Sequence, residues 1–172
     1  MIKIAGCMLI MYASFMAGHT VGQYQLRRVK ELEEIIMFIQ MVKSQMVYAG
    51  TEIPELLMDC EQRLTGTVRI WIHNLIQILE SDSDRTLPEM WRESLKVLDD
   101  LSALPEDAVA DVDRLGRVLG DLDVEAQMSR INLLENVLRD RYERERSRST
   151  GVQRLANSLG ILGGVFIVVM LV

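Results

Sequence analysis

The sequence predicts an all-α protein, a cytoplasmic bundle of about six helices flanked by one N-terminal and one C-terminal transmembrane helix. Three observations predict this class. Apolar segments occupy the two ends, Ile4 to Gly22 and Leu155 to Val172. The stretch between them is charged, and its apolar residues recur at helical spacing. Aromatic residues make up only 5% of the chain, it has three prolines, and strand-like alternation is not found.

The two apolar ends have the length of membrane-spanning helices. At about 1.5 Å per residue, each covers the hydrocarbon core of a bilayer. We therefore predict an N-terminal transmembrane helix over residues 1–22, a bundle over 23–150 and a C-terminal transmembrane helix over 151–172. A cleaved signal peptide is the competing interpretation of the first segment, because Ala13 to Gly18 resembles a small-residue cleavage site. The flanking charges favour a retained anchor.

The basic residues predict the orientation. They cluster between the two apolar segments, next to the inner ends of both, and only Lys3 lies on the other side. The residues of the inner clusters are Arg27, Arg28, Lys30, Arg139, Arg141, Arg144, Arg146, Arg148 and Arg154. The positive-inside rule then places the bundle in the cytoplasm and both termini outside, so the expected location is the cell membrane.

Both apolar segments carry small residues at four-residue spacing. The two stripes are Ser14, Gly18 and Gly22 in the first segment, and Ala156, Gly160 and Gly164 in the second. Small side chains let helix backbones approach closely, so the stripes are predicted packing faces, against each other or against a partner. Glycine is also common in membrane helices in general, and this alternative stays open.

The first half of the middle region predicts three helices. The first continues out of the membrane from Gln23 to Ala49. Pro54, a residue favoured in a first turn, begins the second helix, and Gly66 is expected to stop it. The third covers Thr67 to Glu80.

Three more helices complete the predicted bundle. Thr86 and Glu89 have the spacing of a capping box, which opens a helix from Leu87 to Leu101. Pro105 begins the next helix. The last begins at the acidic residues that follow Gly120 and leads towards the second apolar segment.

Residue types that catalyse reactions or bind metals are sparse. The two cysteines, Cys7 and Cys60, and the two histidines, His19 and His73, fall in different parts of the predicted fold. Walker loops and the GxSxG and HExxH motifs are absent from the sequence. We therefore expect no catalytic, cofactor-binding or metal site, and no enzyme activity.

Negative charge is concentrated between Asp82 and Glu125, with 13 acidic and 5 basic residues. Three acidic residues on the predicted Pro105 to Gly120 helix are candidate docking residues for a partner. They are Asp107, Asp111 and Asp113. A solvated acidic face is the alternative explanation. We do not expect nucleic-acid binding, because the basic residues adjoin the membrane and no aromatic platform accompanies them.

Three segments resemble one known family. Residues 115–127, LGRVLGDLDVEAQ, resemble the LGxxLGxxDxxxQ signature of stage III sporulation protein AB. Residues 53–57, IPELL, follow Tyr48 and resemble the LPEAL segment of that family, and residues 159–164, LGILGG, resemble its closing membrane helix. The resemblance covers nearly the whole chain. Glu52 departs from the proline or small residue usual in the family, which puts only a local turn in doubt.

The residues that match the family's motifs are predicted to have structural roles. They are Pro54, Gly116, Gly120, Asp121, Asp123 and Gln127. Gly116 and Gly120 lie four residues apart, so they could admit a neighbouring helix on one face. Gly120 could instead end its helix in the left-handed conformation, with Asp121 or Asp123 capping the next helix and Gln127 reaching back to that turn. Direct contact with a partner is the alternative.

The resemblance implies a noncatalytic platform in the transenvelope complex that links the mother cell to the forespore during endospore formation. Members are similar to the six-helix cytoplasmic domains of platform proteins of type II secretion and type IV pilus machines. The implied partners are a cytoplasmic ATPase, stage III sporulation protein AA, and other subunits of that complex in the mother-cell membrane surrounding the forespore. Self-association stays open. The alternative functions are a two-span membrane sensor with a cytoplasmic helical domain and, more remotely, a membrane-bound hydrolase.

Overall fold

The protein is all-helical over the residues that the structure describes. The computed structural model describes the backbone of residues 2–48, 52–81, 85–119 and 124–171, and the side chains of residues 23–46, 52–81, 85–119 and 125–149. Seven helices and no strands occur in these ranges. The helices are α1 (Ile2–Tyr48), α2 (Ile53–Arg63), α3 (Gly66–Ser81), α4 (Leu87–Ser94), α5 (Lys96–Leu101), α6 (Glu106–Leu119) and α7 (Val124–Leu171). The predicted all-α class is confirmed.

The chain forms two compact units. The helical unit is Lys30–Glu143, and the terminal unit combines Met1–Val29 with Arg144–Val172. Helices α1 and α7 each contribute to both units. The side chains of the two predicted spans, Ile4 to Gly22 and Leu155 to Val172, lie outside the described residues. A stretch that is long and apolar enough to cross a membrane does not occur in the helices where the structure describes them.

One apolar core runs through the helical unit. Helix α1 contributes a stripe of buried side chains at helical spacing, among them Leu32, Ile35 and Ile39. Every helix from α2 to α7 adds buried residues to the same cluster. The core therefore fixes how the helices of this unit pack, and it positions the part of the signature that the structure describes.

Local sequence signals set two of the helix starts. Helix α2 begins at Ile53 with Pro54 in its first turn, where the missing N–H of proline is not needed. Helix α4 begins after Thr86, and the Glu89 carboxylate accepts the Thr86 backbone N–H at 3.1 Å. This hydrogen bond also lowers the pKa of Glu89. Both predicted starts are confirmed.

The predicted helix from Leu87 to Leu101 is wrong in one respect, because it is divided at Leu95 into α4 and α5. The hydroxyl of Ser94 donates a hydrogen bond to the Trp91 carbonyl at 2.7 Å and accepts the indole N–H of Trp71 at 2.9 Å. A serine hydroxyl that bonds a backbone carbonyl of the preceding turn bends a helix. The tertiary contact with Trp71 thus accounts for the division.

The role of Gly66 also differs from the prediction. Helix α2 ends at Arg63 with Leu64 as its C-cap, so Gly66 does not stop it directly. Gly66 is instead the first residue of α3 and has a φ of +56°, a left-handed conformation that glycine adopts without strain. It makes the tight turn that brings α2 and α3 together.

Candidate functional site

Gly116 of the signature lies against an aromatic ring. An added Cβ would lie 2.6 Å from Cδ2 of Trp91, and closer still to Cγ and Cδ1 of the same ring. The neighbour that needs the glycine is therefore the indole of Trp91 on α4. The neighbouring helix expected to approach closely at Gly116 is α4, and the group that approaches is the side chain of Trp91.

The Trp91 ring contacts residues of three other helices, α1, α3 and α6. It is fully buried, and its indole N–H donates to the carbonyl of Val112 on α6 at 3.0 Å. The ring packs edge-on against Trp71, with 5.2 Å between ring centroids, and lies 6.2 Å from Phe38 of α1. Such arrangements are favourable aromatic contacts. We refer to Phe38, Trp71 and Trp91 as the aromatic cluster.

Gln127 of the signature reaches back across the connection between α6 and α7. Its side-chain amide donates to the carbonyl of Val118 at 2.8 Å, and the residue is buried. Val118 is in the last turn of α6, where carbonyls lack partners within their own helix. The other predicted motif residues of this connection, Gly120, Asp121 and Asp123, lie outside the described residues.

The three candidate docking residues on α6 have different surroundings. Asp111 is 3% exposed, and its carboxylate accepts Arg114 at 2.7 Å and Arg141 of α7 at 2.9 Å. Asp111 therefore lies inside the fold and is not presented to a partner.

Asp107 and Asp113 lie further out. The side chain of Asp107 is 68% exposed and pairs with Arg141, whose hydrogen bond lowers the pKa of this carboxyl. Asp113 pairs with Arg117 and lies 3.5 Å from Arg92. Both carboxylates are thus engaged by arginines of the same chain. The predicted packing stripes, Ser14 to Gly22 and Ala156 to Gly164, lie where side chains are not described.

Two buried glutamates of α1 were not singled out by the sequence analysis. Glu31 accepts the hydroxyl of Thr67 at 2.9 Å and the backbone N–H of Ala103 at 2.6 Å. Glu34 accepts the backbone N–H of Thr65 at 3.0 Å and the hydroxyl of the same residue. These carboxylates satisfy donors at the start of α3 and in the connection between α5 and α6. Their position beside the apolar residues of α1 is the sequence feature that could have indicated buried carboxylates.

A third buried glutamate joins α7 to α1. Glu135 accepts Gln40 at 3.0 Å, Lys43 at 2.6 Å and Arg139 at 2.9 Å. Burial raises the pKa of this carboxyl, but the three hydrogen bonds lower it by a larger amount, so that the pKa is about 2. Lys43 follows the buried Val42 in α1, and its ion pair with Glu135 compensates its charge there.

The remaining reactive side chains are isolated or exposed. The Cys60 thiol is buried, and burial raises its pKa to about 11. The His73 ring lies on the surface, 3.2 Å from Glu61. Over the described residues, histidine, cysteine and acidic side chains do not gather in groups of three that could hold a metal ion. The hydrogen bonds, ion pairs and aromatic contacts described above hold the helices together.

Comparison with known proteins gives consistent results. A family model described as Stage III sporulation protein AB matches residues 3–172. The stage III sporulation protein AB of Bacillus subtilis (strain 168) is similar, with 21% identity over 172 residues and 99% of each chain covered. A solved structure of a stage III sporulation protein AB has the same fold, with a TM-score of 0.67 and 17% identity over 72% of this chain and 97% of that one. Since the family model matches nearly the whole chain, the chain belongs to the stage III sporulation protein AB family.

Proposed function

We propose that this chain is a noncatalytic membrane platform of a secretion-like transenvelope complex in endospore formation. Membership of the family gives it a role in sporulation. In the proposal, the terminal unit anchors the chain in the mother-cell membrane around the forespore. The helical unit faces the cytoplasm, where it couples the ATPase, stage III sporulation protein AA, to membrane subunits.

The observation that carries the proposal is the use of the signature residues. Gly116 makes room for Trp91, and Gln127 closes the last turn of α6. Asp111, which the sequence analysis offered as a docking residue, is buried and paired with Arg141. The polar side chains of Gln127 and Asp111 are engaged in contacts within the chain, which favours a scaffold over an enzyme.

The proposal includes a docking surface for the partner, and exposed acidic residues support its position. Asp99, Asp100 and Glu106 are exposed, and none of the three forms an ion pair with a side chain that the structure describes. They lie at the end of α5 and the start of α6, next to the exposed Leu101. We propose this acidic surface, bordered by Asp107, as the docking surface for a basic region of the ATPase.

Charge reversal tests this surface. The triple variant Asp99→Lys, Asp100→Lys, Glu106→Lys should lose co-purification of the ATPase with the full chain. The matched control reverses three exposed glutamates elsewhere, Glu33→Lys, Glu55→Lys and Glu80→Lys, and should retain it. Equal ATPase recovery with both variants would rule out this docking surface.

Deletion of the gene in a spore-forming host tests the role itself. Membrane-dye imaging should show cells that complete engulfment and then stall with a collapsing forespore. The wild-type gene should restore heat-resistant spores, and the acidic-surface triple variant should not. Normal spore formation in the deletion strain would contradict the platform function.

A further inference from the structure

Charge is divided unequally between the two units. The terminal unit contains seven basic residues and one acidic residue, a net charge of +6, while the helical unit contains 12 basic and 24 acidic residues, a net of −12. The basic residues of the terminal unit are Lys3, Arg27, Arg28, Arg144, Arg146, Arg148 and Arg154. A charge difference of this size between two parts of one small chain indicates that they face different surroundings.

The one acidic residue of the terminal unit is occupied. Glu145 is buried, and its carboxylate lies 3.7 Å from Arg28 of α1 and 4.0 Å from Arg148 of α7. The Arg28 contact shows that α1 and α7 lie side by side here. Even with these contacts, a single carboxylate offsets one of the seven positive charges of the terminal unit.

Exposed arginines adjoin the residues of this contact in the sequence. Arg27, Arg144, Arg146 and Arg148 are all exposed, and we refer to these four residues as the basic belt. Next to Arg27, the side chains of Tyr24 and Leu26 are 53% and 47% exposed. A tyrosine and an aliphatic side chain beside guanidinium groups have the composition of a segment at a membrane–water interface.

We propose that the basic belt binds the phosphate groups of anionic lipids, so that the chain selects an anionic membrane surface. The inference rests on the proposed membrane anchoring. Arg27 follows the predicted first span by five residues and Arg148 precedes the second by seven, which correspond to about 8 and 10 Å of helix. These distances are close to the Debye length at physiological ionic strength, about 8 Å, so the attraction is still felt at the lipid surface.

Lipid selectivity can be measured on the full chain. The chain is reconstituted in phosphatidylcholine vesicles that contain trace spin-labelled phosphatidylglycerol or spin-labelled phosphatidylcholine. Electron paramagnetic resonance then gives the fraction of each label immobilised by the protein. Since one basic residue near a membrane contributes about 1 kcal/mol, we expect about a fivefold preference for phosphatidylglycerol. Raising the salt concentration from 0.05 to 0.5 M should reduce it.

Two variants and a control identify the residues responsible. Arg144→Gln, Arg146→Gln, Arg148→Gln should remove most of the preference, and replacement of the same three residues by lysine should keep it. The control Arg69→Gln, Lys96→Gln, Arg130→Gln makes the same charge change at exposed positions of the helical unit and should also keep it.

The outcomes separate this inference from the anchoring on which it rests. A chain that fails to float with vesicles would overturn the anchoring, and the lipid inference with it. A chain that floats but shows no preference, or loses it equally in the control, would overturn the lipid inference alone. The lipid inference would also be overturned if the glutamine variant keeps the lipid preference but loses binding to duplex DNA.

Discussion

Helix α1 contacts the rest of the helical unit in two chemically different ways. In its C-terminal part, Phe38 packs against the two tryptophans of the aromatic cluster. One to two turns earlier, Glu31 and Glu34 accept hydrogen bonds from α3 and from the connection between α5 and α6. The aromatic contacts tolerate no added volume, whereas the carboxylate contacts tolerate no lost acceptor.

The aromatic cluster and the buried carboxylates contribute differently to the folded state. Apolar packing gains free energy from every atom buried, and it depends little on pH. A buried carboxylate gains little net free energy, but its removal leaves donors such as the Ala103 N–H without a partner. The aromatic cluster therefore supplies stability, and the carboxylates specify which segments meet. Substitutions in the two regions should therefore differ in how much they lower the free energy of unfolding.

The largest effect is expected at Gly116. Gly116→Val places side-chain atoms inside the Trp91 ring, which cannot move without loss of its hydrogen bond to Val112. We expect the free energy of unfolding to fall by about 3 kcal/mol. Urea unfolding of the full chain, followed by tryptophan fluorescence, measures this directly, because both tryptophans belong to the aromatic cluster.

Ala110→Val is the matched control for that variant. Ala110 is exposed on the same helix, so the same bulky side chain should change stability by less than about 0.5 kcal/mol. Similar losses for both variants would mean that helix propensity, and not the indole, decides the result at position 116.

A smaller loss is expected at the buried carboxylate of α1. Glu31→Gln turns one of the two acceptor oxygens into an N–H₂ group, which then faces the donor of Thr67 or that of Ala103, and we expect a loss of about 2 kcal/mol. Glu33→Gln, at an exposed position of the same helix, should be close to neutral. If both variants unfold at the same urea concentration as the wild type, Glu31 does not specify this junction.

Glu135 should make stability depend on acid pH. Its pKa in the folded chain is about 2, below the ordinary glutamate value near 4.3, so the folded state holds fewer protons than the unfolded state between these values. The stabilisation is complete above pH 5 and is lost as the pH falls towards 2.

We expect Glu135→Gln to cost about 1.5 kcal/mol at pH 7. The difference from the wild type should shrink steadily between pH 4.5 and about 2. Paired urea titrations across this range measure it. A gap that is constant with pH would show that the titration of Glu135 is not linked to folding.

The smallest effect is expected at Gly66. Open space surrounds this position, so Gly66→Ala introduces only backbone strain at a φ of +56°, about 1 kcal/mol. Gly66→Asn should cost less, since asparagine tolerates the left-handed conformation. If asparagine costs as much as alanine or more, the left-handed backbone conformation does not account for the loss.

Features of the fold that depend on neighbouring residues in the sequence could be predicted, and features that depend on tertiary partners could not. Pro54 and the Thr86–Glu89 pair mark helix starts by local chemistry, and both starts are where the sequence places them. The division at Leu95 depends on Trp71, more than twenty residues earlier, which no local pattern of Ser94 reveals.

The candidate site shows the same division. The glycine spacing of the signature indicated close packing at Gly116, but it could not identify Trp91 as the neighbour. Asp111 has the sequence character of a surface residue on an acidic helix, and only the position of Arg141 on α7 places it inside. Burial of a charged side chain is decided by a partner distant in sequence.

The contact between Trp91 and Gly116 also bears on how the sequences of relatives vary. An indole at position 91 excludes any side chain at position 116, while a smaller residue at 91 would leave a void that alanine or serine at 116 could fill. Replacements at the two positions should therefore occur together across the family. The glycine of the signature is then one half of a coupled pair, and its partner lies outside the motif.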